Sequence, residues 1–470
     1  MAGRAVRAEL VLERSPFGFT AALLEDGRLA EVDLLDEAAE DVRGQIRLGR
    51  VRTIDRELGA AFVDCGLAAD AWLGARDARF VVGAGRDAPI ERMLSEGQGV
   101  LVQVRRGPVG GKAPQVTGDV ALAGMYLVLR PRRGDVALSA RLARTPAAAG
   151  QRERAARLFP GIGVVLRRGA SLASDAELLA ELARLRDRWQ QIEAAASAAT
   201  PPARLHADDP LQRLLLDRLA PELERIVVGD QATLVRARTW LGKWQPALAD
   251  RLVSLPDPFE ATGVAEQLEE ALQPSVPLAG GGSLIIEATA AFTAIDVNGG
   301  GRRALEANLG AAAEIARQLR LRRIGGTVVV DFIDLPARAA RARVVDALRA
   351  ALADDPEPVQ VFAMSRFGLV EISRRRSGPS LAEMLGRRCP TCAGAGTLPG
   401  LRRRAEQLIQ EVVRRGPARL RVYVAPDLHD FLKGAGGDGW QASALRHGGA
   451  LVLEVDRALP PGDHRIMELS

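Results

Sequence analysis

Two apolar stretches of the chain carry acids and amides where chemistry could occur. The first, Ala294–Asn298, precedes three glycines, and the second is Thr327–Asp334. Each is predicted to be a short strand. Residues two apart in a strand point to the same side, so Asp296 and Asn298 share a face. A carboxylate inside an apolar strand such as that of Asp331 is costly unless a metal ion pairs with it, and such oxygen ligands suit Mg²⁺ or Mn²⁺ rather than zinc.

A helix is predicted between these strands, over Glu306–Arg323, because its apolar residues recur at helical spacing. The order strand, helix, strand predicts a parallel βαβ unit. Such a unit would bring Asp296 and Asp331 to neighbouring strand ends, where open α/β sheets place their chemistry. A second helix is predicted over Ala337–Asp354, and we expect Asp334 to cap its start rather than bind the metal.

A basic segment, Ser365–Arg376, follows a predicted strand at Val359–Met364 and contains four arginines. Such a run is usually a solvated face. Beside a carboxylate pair, however, we expect it to attract the phosphates of a nucleic acid.

Cys389 and Cys392 form a Cys-x-x-Cys pair followed by glycines. This is half of a tetrahedral zinc site, although redox chemistry and no function at all are alternatives. The sequence contains no second such pair, Cys65 is distant, and the four histidines form no closely spaced pair. Zinc bound only by thiolates would need two ligands from a second copy of the chain, so zinc implies a homodimer.

Upstream, short strands with tight turns predict a small OB-type barrel. Its five strands are expected at Gln45–Ile54, Ala60–Asp64, Ala71–Leu73, Gly99–Arg105 and Gln115–Ala121. Phe62 and Trp72 lie on neighbouring strands, and cations flank them at Arg52, Arg105, Arg106 and Lys112. Aromatic side chains among cations are how such barrels bind single-stranded nucleic acid. The alternative is that Phe62 and Trp72 are core residues.

Arg167 and Arg168 end an apolar strand beside Gly169. Their guanidinium groups could cradle a phosphate, although a solvated strand end is the alternative.

The remaining predicted elements frame these segments. Near the N-terminus we expect a hairpin, Val6–Glu13 with Thr20–Leu24, and then an acidic stretch, Asp33–Asp41. Helices are predicted at Ser174–Ala198, Leu211–Leu219, Val264–Leu272 and Leu401–Arg415, and strands at Arg225–Val228, Arg419–Val424 and Ala450–Val455.

Length and composition fit a multidomain globular protein. The chain has 470 residues, of which 47% are hydrophobic and 26% charged, and this length corresponds to about three domains. No apolar run approaches the ~20 residues of a membrane span, the N-terminus has no signal-peptide core, and three cysteines make no disulfide framework. We therefore expect a cytoplasmic protein. The net charge of +5 permits an anionic partner, although genomic base composition could also produce so arginine-rich a chain.

Several motifs together resemble the ribonuclease E/G family. Their order and spacing match over roughly residues 280–400, and weaker similarity extends upstream. The motifs are Ala294–Asn298, Glu314–Arg322, Gly325–Gly326, Val330–Asp334, Ser365–Leu369 and Cys389–Cys392, with Ala60–Asp64 and Leu122–Leu129 upstream.

The resemblance implies a multidomain α/β fold. An RNase H-like part, residues 1–44 and 203–276, would be interrupted by an S1-type OB barrel, 45–123, and a 5′-sensor region, 124–200. A DNase I-like catalytic part, 277–387, would precede a zinc link, 388–397, and a small α+β C-terminal domain, 398–470.

The resemblance also implies an endoribonuclease that cleaves single-stranded RNA in mRNA decay and in rRNA or tRNA processing, with a preference for 5′-monophosphorylated ends. Asp296 and Asp331 match residues that hold a catalytic Mg²⁺, and Asn298 matches an assisting asparagine. Cys389 and Cys392 match cysteines that share one zinc between two protomers of a homodimer, which could pair into a tetramer. Gly124, Val128 and Arg167 match a pocket for the 5′-monophosphate.

This chain departs from the family pattern in three places. The loop Asn298–Asn308 is shorter than usual, Ala290 replaces an acid, and Arg168 replaces the threonine of the sensor. A non-catalytic RNA-binding or assembly paralogue is therefore a competing hypothesis, and a DNA nuclease is a third. The presence of Asp296, Asn298 and Asp331 together favours the nuclease, because a binding module does not need a buried carboxylate pair.

Overall fold

The computed structural model describes residues 7–36, 42–107, 113–143, 145–218, 223–434, 442 and 450–469. The chain forms two compact units, Met1–Met384 and Leu385–Ser470. The architecture is mixed α/β and includes a closed five-strand barrel. Among the described helices, none is both long and apolar enough to cross a membrane.

The described chain begins with three antiparallel strands. They are β1 (Ala8–Ser15), β2 (Gly18–Glu25) and β3 (Arg28–Asp36). The sequence predicted only the first two, and Asp33 was assigned to an acidic stretch after them. Asp33 instead lies in β3, where its carboxylate accepts hydrogen bonds from Arg218 and Arg323.

The barrel follows and confirms the predicted five strands. Its elements are β4 (Ile46–Asp55), β5 (Ala60–Asp64), β6 (Ala71–Gly74), α1 (Ala75–Val82), α2 (Ile90–Met93), β7 (Gly99–Arg106) and β8 (Gln115–Thr117). β4 pairs with both β5 and β7, which closes the barrel. The side chains that point inward are apolar, among them Val51, Val63, Leu73, Val102 and Val116.

A small sheet in the order β11-β12-β10-β9 comes next. Its region contains β9 (Leu122–Ala123), β10 (Leu127–Leu129), β11 (Val136–Leu138), α3 (Ala140–Ala143), α4 (Ala148–Leu158), β12 (Val164–Leu166) and α5 (Asp175–Ala198). Helix α5 agrees with the prediction, and it begins with a capping box between Ser174 and Glu177. Its buried face includes Leu178, Leu182 and Leu185.

The chain then returns to the first sheet. The elements are β13 (Ala203–His206), α6 (Pro210–Arg218), β14 (Leu223–Val228), α7 (Gln231–Trp244), α8 (Pro246–Ala249), β15 (Leu252–Ser254), α9 (Pro258–Ala261) and α10 (Val264–Leu272). β14 pairs in parallel with β1 and with β15. The resulting sheet, β15-β14-β1-β2-β3, therefore combines two segments of chain that the barrel separates.

The third large sheet has the order β16-β17-β18-β19-β21-β20. The elements are β16 (Ser275–Pro277), β17 (Ser283–Ala288), β18 (Thr293–Asn298), α11 (Ala304–Leu321), β19 (Gly326–Asp331), α12 (Arg338–Ala351), β20 (Val359–Val361), β21 (Leu369–Arg374) and α13 (Leu381–Leu385). β18 and β19 are parallel neighbours with α11 between them in the chain, which confirms the βαβ unit. The predicted capping role of Asp334 is wrong, because α12 starts after Ala337 and has no side-chain cap.

The second unit contains a three-stranded sheet in the order β23-β22-β24. Its elements are α14 (Leu401–Arg415), β22 (Leu420–Val424), α15 (Pro426–Lys433), β23 (Leu451–Val455) and β24 (His464–Glu468). The sequence predicted α14, β22 and β23 but neither α15 nor β24. Leu408, Val422 and Leu428 are central to the core of this unit.

Candidate functional site

The third sheet has two unlike faces. One face packs apolar side chains against α11 and α12: Ile295, Val297, Val328, Val330, Val370 and Ile372. Because side chains alternate along a strand, Asp296, Asn298 and Asp331 point to the other face, where they are exposed. The expectation of a buried carboxylate pair is therefore wrong. The acids can be solvated, so they do not need a metal ion to be tolerated by the fold.

Asp296 and Asp331 lie directly opposite each other on β18 and β19. Neighbouring strands are ~5 Å apart, so two carboxylates on the same face at this register can reach one divalent ion. Nδ2 of Asn298 donates a hydrogen bond to Oδ2 of Asp296 at 2.7 Å. The amide thereby orients one of the two carboxylates.

The donor set of this pair fits Mg²⁺, which is often bound through one or two carboxylates and retains several waters. Within the part of the chain that the structure describes, no group of three or more His, Cys, Asp or Glu side chains could hold a metal ion. No cage made wholly of protein ligands is therefore found among those residues. Two carboxylates that leave room for bound waters are the kind of site that Mg²⁺ favours.

The backbone immediately after Asp331 is held by Asn308 on α11. This side chain is fully buried. Its Nδ2 donates to the carbonyl oxygen of Ile333 at 2.8 Å, and its Oδ1 accepts from the amide of Ile333 at 3.1 Å. From the sequence we recognised Asn308 only as the remnant of a shortened loop. The sequence feature that could have indicated its role is an amide side chain on the apolar face of a predicted helix.

Two glycines allow the loop after Asn298 to pack closely against the turn before β17. Gly282 and Gly300 have φ values of +90° and +57°. A Cβ at Gly282 would lie 2.2 Å from the carbonyl oxygen of Asn298, and one at Gly300 would lie 2.4 Å from the amide nitrogen of Gly282. Side chains at these positions would therefore push the two loops apart beside Asn298.

Most of the basic segment does not lie beside the aspartates. β21 is antiparallel to β19, with Leu369 opposite Asp331 and Arg374 opposite Gly326. Arg374 is therefore ~17 Å along the sheet from Asp331. The expectation that the whole segment approaches the carboxylates is wrong, and only its beginning, near Arg366, lies at that end of the sheet.

Two of these arginines instead form ion pairs within the fold. Arg374 is buried, and its guanidinium donates to the Asp355 carboxylate at 3.0 Å and to the carbonyl oxygen of Ile324 at 2.8 Å. Nε of Arg375 donates to Glu357 at 3.1 Å. The short loop that carries Asp355 and Glu357 provides these acids, and this pairing could not be read from the basic run itself.

On the barrel, Phe62 and Trp72 lie directly opposite each other on β5 and β6. Both are half-buried, whereas the residues flanking them are buried, so the two aromatic side chains face outward. The indole of Trp72 lies over Gly74, since a Cβ there would be 2.5 Å from Cη2 of the ring. Gln115 is the strand partner of both Trp72 and Arg106. The alternative that these aromatics form the barrel core is therefore wrong.

The other predicted cations of the barrel have different surroundings. Arg52 pairs with Asp64 at 2.5 Å, and Arg105 lies 3.6 Å from Asp77. Arg106 is exposed. Lys112 lies outside the described residues.

Three of the four predicted 5′-sensor residues meet in one corner of the small sheet. Nη1 of Arg167 donates to the carbonyl oxygen of Gly124 at 2.9 Å. Val128 lies on β10, directly opposite Val165 of the strand that leads to Arg167. Arg168 is exposed and begins a short 3₁₀ turn.

Glu181 on α5 shapes this corner and was missed from the sequence. It is 1% exposed and accepts hydrogen bonds from the amides of Met125, Tyr126 and Leu127 at 2.6, 2.9 and 2.8 Å. A Cβ on Gly124 would lie 2.7 Å from Cδ of Glu181. Burial raises the pKa of Glu181, although the three amides act in the opposite direction. The sequence feature that could have revealed Glu181 is an acid on the apolar face of a predicted helix.

The Cys-x-x-Cys pair forms a tight knuckle in the second unit. The amide of Ala393 donates to the carbonyl oxygen of Cys389, and that of Ala395 to Cys392, both at 2.8 Å. Hydrogen bonds from the backbone amides of Cys392 and Thr391 lower the pKa of the Cys389 thiol. A thiolate is the form that binds zinc, so the knuckle fits half of a zinc site. In the barrel, burial raises the pKa of Cys65 to about 12.

Comparison with known proteins finds the same family across most of the chain. A sequence model of the ribonuclease E/G family matches residues 121–377. Ribonuclease G of Escherichia coli strain K12 is 32% identical over 456 residues, which cover 91% of this chain and 92% of that protein. Ribonuclease G of Haemophilus influenzae is 31% identical over 90% of this chain and 91% of its own. Ribonuclease E of Nostoc sp. strain PCC 7120 is 35% identical over 76% of this chain and 55% of its own.

Proposed function

Because this chain belongs to the ribonuclease E/G family, it is an endoribonuclease of RNA processing, and we propose that it cleaves single-stranded RNA by Mg²⁺-dependent hydrolysis. The proposal depends above all on one observation. Asp296 and Asp331 lie opposite each other on parallel strands, on one exposed face.

Each residue of the pair has a defined part in the proposed reaction. Asp296 and Asp331 would hold the ion, and Asn298 orients Asp296 through its amide hydrogen bond of 2.7 Å. Bound Mg²⁺ would supply an activated water and stabilise the charge that develops on the phosphate. Asn298 would position that water or the scissile phosphate.

The barrel is proposed to hold the single strand. Phe62 and Trp72 present ring surface on which bases can stack, and Arg106 lies across Gln115 from Trp72. Lys112 is assigned to this surface from the sequence alone, because it belongs to a segment next to the strands of Phe62 and Trp72. Since phosphate contacts release counterions, we expect RNA affinity to fall with rising salt.

We assign preference for a 5′-monophosphate to Gly124, Val128, Arg167 and Arg168. The hydrogen bond between Arg167 and the Gly124 carbonyl supports this proposal, because it places a cation at the edge of the small sheet. Arg168 stands where the family has a threonine, and its guanidinium can contribute a second bidentate phosphate contact.

The finer description of the fold forms part of the same proposal. The sheet β15-β14-β1-β2-β3 supports an RNase H-like part made of two chain segments, and the third sheet supports a DNase I-like catalytic part. The S1-type identity of the barrel, the mRNA and rRNA or tRNA targets, and a zinc-linked homodimer or tetramer are also proposals.

A cleavage assay with a matched pair of variants tests the central proposal. The substrate is an unstructured RNA with a 5′-monophosphate, assayed with and without Mg²⁺. We expect Asp331→Asn to reduce cleavage by at least ~100-fold, because it weakens metal binding, while RNA affinity is retained. Asp346→Asn, in an exposed acid of α12, is the control and should cleave like the wild type.

The possible outcomes separate the competing hypotheses. Equal cleavage by wild type and Asp331→Asn would show that the metal assignment is wrong. Tight RNA binding without any metal-dependent product would support the non-catalytic paralogue instead. Equally efficient cleavage of single-stranded DNA would favour the DNA nuclease.

A further inference from the structure

Exposed phenylalanines concentrate around the third sheet. Within the described residues, four phenylalanine side chains are exposed: Phe17, Phe292, Phe362 and Phe367. Three of them adjoin strands of this sheet, since Phe292 precedes β18, Phe362 follows β20 and Phe367 precedes β21. Phe367 is the most exposed of the four, at 83%.

Phe367 lies at the end of the sheet that carries the aspartates. β21 begins at Leu369, which is directly opposite Asp331, and Phe367 is two residues earlier. The turn also contacts the segment that follows Asp331. A Cβ on Gly368 would lie 3.2 Å from the carbonyl oxygen of Phe332 and 3.4 Å from Oδ1 of Asp334. By strand spacing, the backbone of Phe367 is therefore within ~10 Å of Asp331.

The turn that presents the ring is held firmly. Oγ of Ser365 accepts hydrogen bonds from the amides of Phe367 and Leu369, both at 3.2 Å. The amide of Ser365 donates to the carbonyl oxygen of Leu369 at 2.8 Å. Gly368 has φ +81°, which closes the turn. The backbone is thus fixed while the aromatic ring projects into solvent.

An exposed aromatic ring on a well-held backbone offers a face on which a nucleobase can stack. The neighbouring Arg366 is exposed too, so a cation for the adjoining phosphate lies next to the ring. Since the Phe367 side chain is largely outside the core, its replacement should leave the fold intact.

We propose that Phe367 stacks on a base of the RNA close to the scissile phosphate and so positions the strand over Asp296 and Asp331. This inference rests on the proposed function and adds a substrate-positioning residue to it. Stacking requires only the flat face of a base, so Phe367 would act with little sequence preference.

The test combines variants of Phe367 with RNAs that lack single bases. Each RNA has one known cleavage site and an abasic nucleotide at one of the flanking positions. Stacking on an aromatic residue contributes ~1–3 kcal/mol per base, so Phe367→Ala should lower kcat/KM by about 5- to 150-fold on intact RNA. Phe367→Trp should restore it, and Phe17→Ala, in the β1–β2 turn, should have no effect. When the abasic nucleotide is at the position of the stacked base, wild type and Phe367→Ala should have equal kcat/KM.

Three results would overturn the proposal. The first is that Phe367→Ala cleaves and binds intact RNA like the wild type. The second is that its defect has the same size at every abasic position, and the third is that it changes the oligomeric state but not RNA affinity. Either of the last two would indicate a structural role.

A binding measurement separates this inference from the proposed reaction. RNA affinity is measured in EDTA in the Asp331→Asn background, so that no cleavage is required. Suppose that the wild type fails to cleave, but that Phe367→Ala weakens RNA binding and does so only when the stacked base is present. The hydrolysis proposal would then fail, and the stacking proposal would stand.

Discussion

Asn308 shows how a single buried amide can position the segment that follows a candidate metal ligand. Its two hydrogen bonds to Ile333 imitate the pairing of a neighbouring strand at the point where β19 has ended. The segment after Asp331 is therefore tied to α11. This matters because a metal site requires its carboxylates within a few tenths of an ångström of their working positions.

Asn308→Ala should loosen this segment. The variant leaves two backbone groups of Ile333 without their partner, which costs ~1–3 kcal/mol of stability for buried groups. We also expect cleavage to require more Mg²⁺, because Asp331 is held less firmly. Urea unfolding and a Mg²⁺ titration of cleavage measure the two effects.

A second substitution removes only the donor. Asn308→Asp keeps the acceptor for the Ile333 amide but places a buried carboxylate against the Ile333 carbonyl oxygen, so it should be at least as destabilising as Asn308→Ala. An unchanged Mg²⁺ requirement in Asn308→Ala would refute the positioning role.

Arg374 shows that a cation can belong to the core of the protein. Both Arg374 and Asp355 are at most 5% exposed, and they form a bidentate pair. Removing one partner leaves a buried charge uncompensated.

Arg374→Gln should therefore destabilise the protein by ~3–5 kcal/mol, measured by denaturant unfolding. The exposed Arg376→Gln should change stability by less than ~0.5 kcal/mol. A double variant, Arg374→Met with Asp355→Leu, should recover much of the loss because it removes both charges. If Arg374→Gln were as stable as the wild type but bound RNA poorly, the phosphate-binding hypothesis for this residue would be revived.

At the scale of elements, ion pairs help to fix the loop between β8 and β9. Asp119, between β8 and β9, accepts hydrogen bonds from Arg130 and Arg133. Arg132 donates to the carbonyl oxygen of Gly118 at 2.8 Å. These contacts connect the end of the barrel to the loop after β10.

Because the pKa of Asp119 is perturbed in the folded protein, the stabilisation that this connection provides depends on pH. Burial disfavours the charged form, but the hydrogen bonds and charges of Arg133 and Arg130 outweigh burial and hold the pKa below its ordinary value. An acid whose pKa is lower in the folded state stabilises the fold above its ordinary pKa of ~4. The stabilisation is lost as the pH falls through the folded value.

Asp119→Asn tests this dependence. We expect the variant to be ~2–4 kcal/mol less stable than the wild type at pH 7, because the arginines lose their partly buried partner. The difference should be constant down to about pH 5 and should shrink below about pH 4. Denaturant unfolding at several pH values measures it, and a difference that does not vary with pH would contradict the assignment.

At the scale of the whole molecule, α11 joins two sheets of the first unit. One side of the helix packs on the third sheet through Ile315 and Leu319. Arg317 of the helix donates to the carbonyl oxygen of Leu29, and Arg323, just after the helix, donates to that of Val32; both carbonyls are in β3. The helix that connects the two candidate metal-binding strands is thus also fastened to the sheet β15-β14-β1-β2-β3.

The zinc proposal concerns assembly, because the knuckle provides only two thiolates. We expect one zinc ion per two chains, and we expect chelation or Cys389→Ser to convert dimers into monomers. Analytical ultracentrifugation with zinc analysis measures both quantities. Cys65→Ala is the control and should retain zinc, since that thiol lies buried in the barrel. Dimers that persist without zinc would show that the metal does not hold the chains together.

Much of this protein could be predicted from local patterns. The alternation in Ala294–Asn298, the helical spacing of Glu306–Arg323 and the turn signals of the barrel depend on neighbours in the chain, so they indicated the βαβ unit and the five strands. The same patterns missed β17 and β24. They did not reveal the roles of Glu181, Asn308 or Arg374, because each of these polar residues has its partner in a distant part of the chain.

The sequence by itself determined which residues could perform the chemistry and which elements carry them, because side-chain type and periodicity are local properties. Only the tertiary structure decided that Asp296 is opposite Asp331, that both carboxylates face solvent and that Arg374 is buried with Asp355. The physical reason is that register, exposure and charge pairing are set by contacts between segments far apart in the chain. Those contacts form only when the strands and helices pack together.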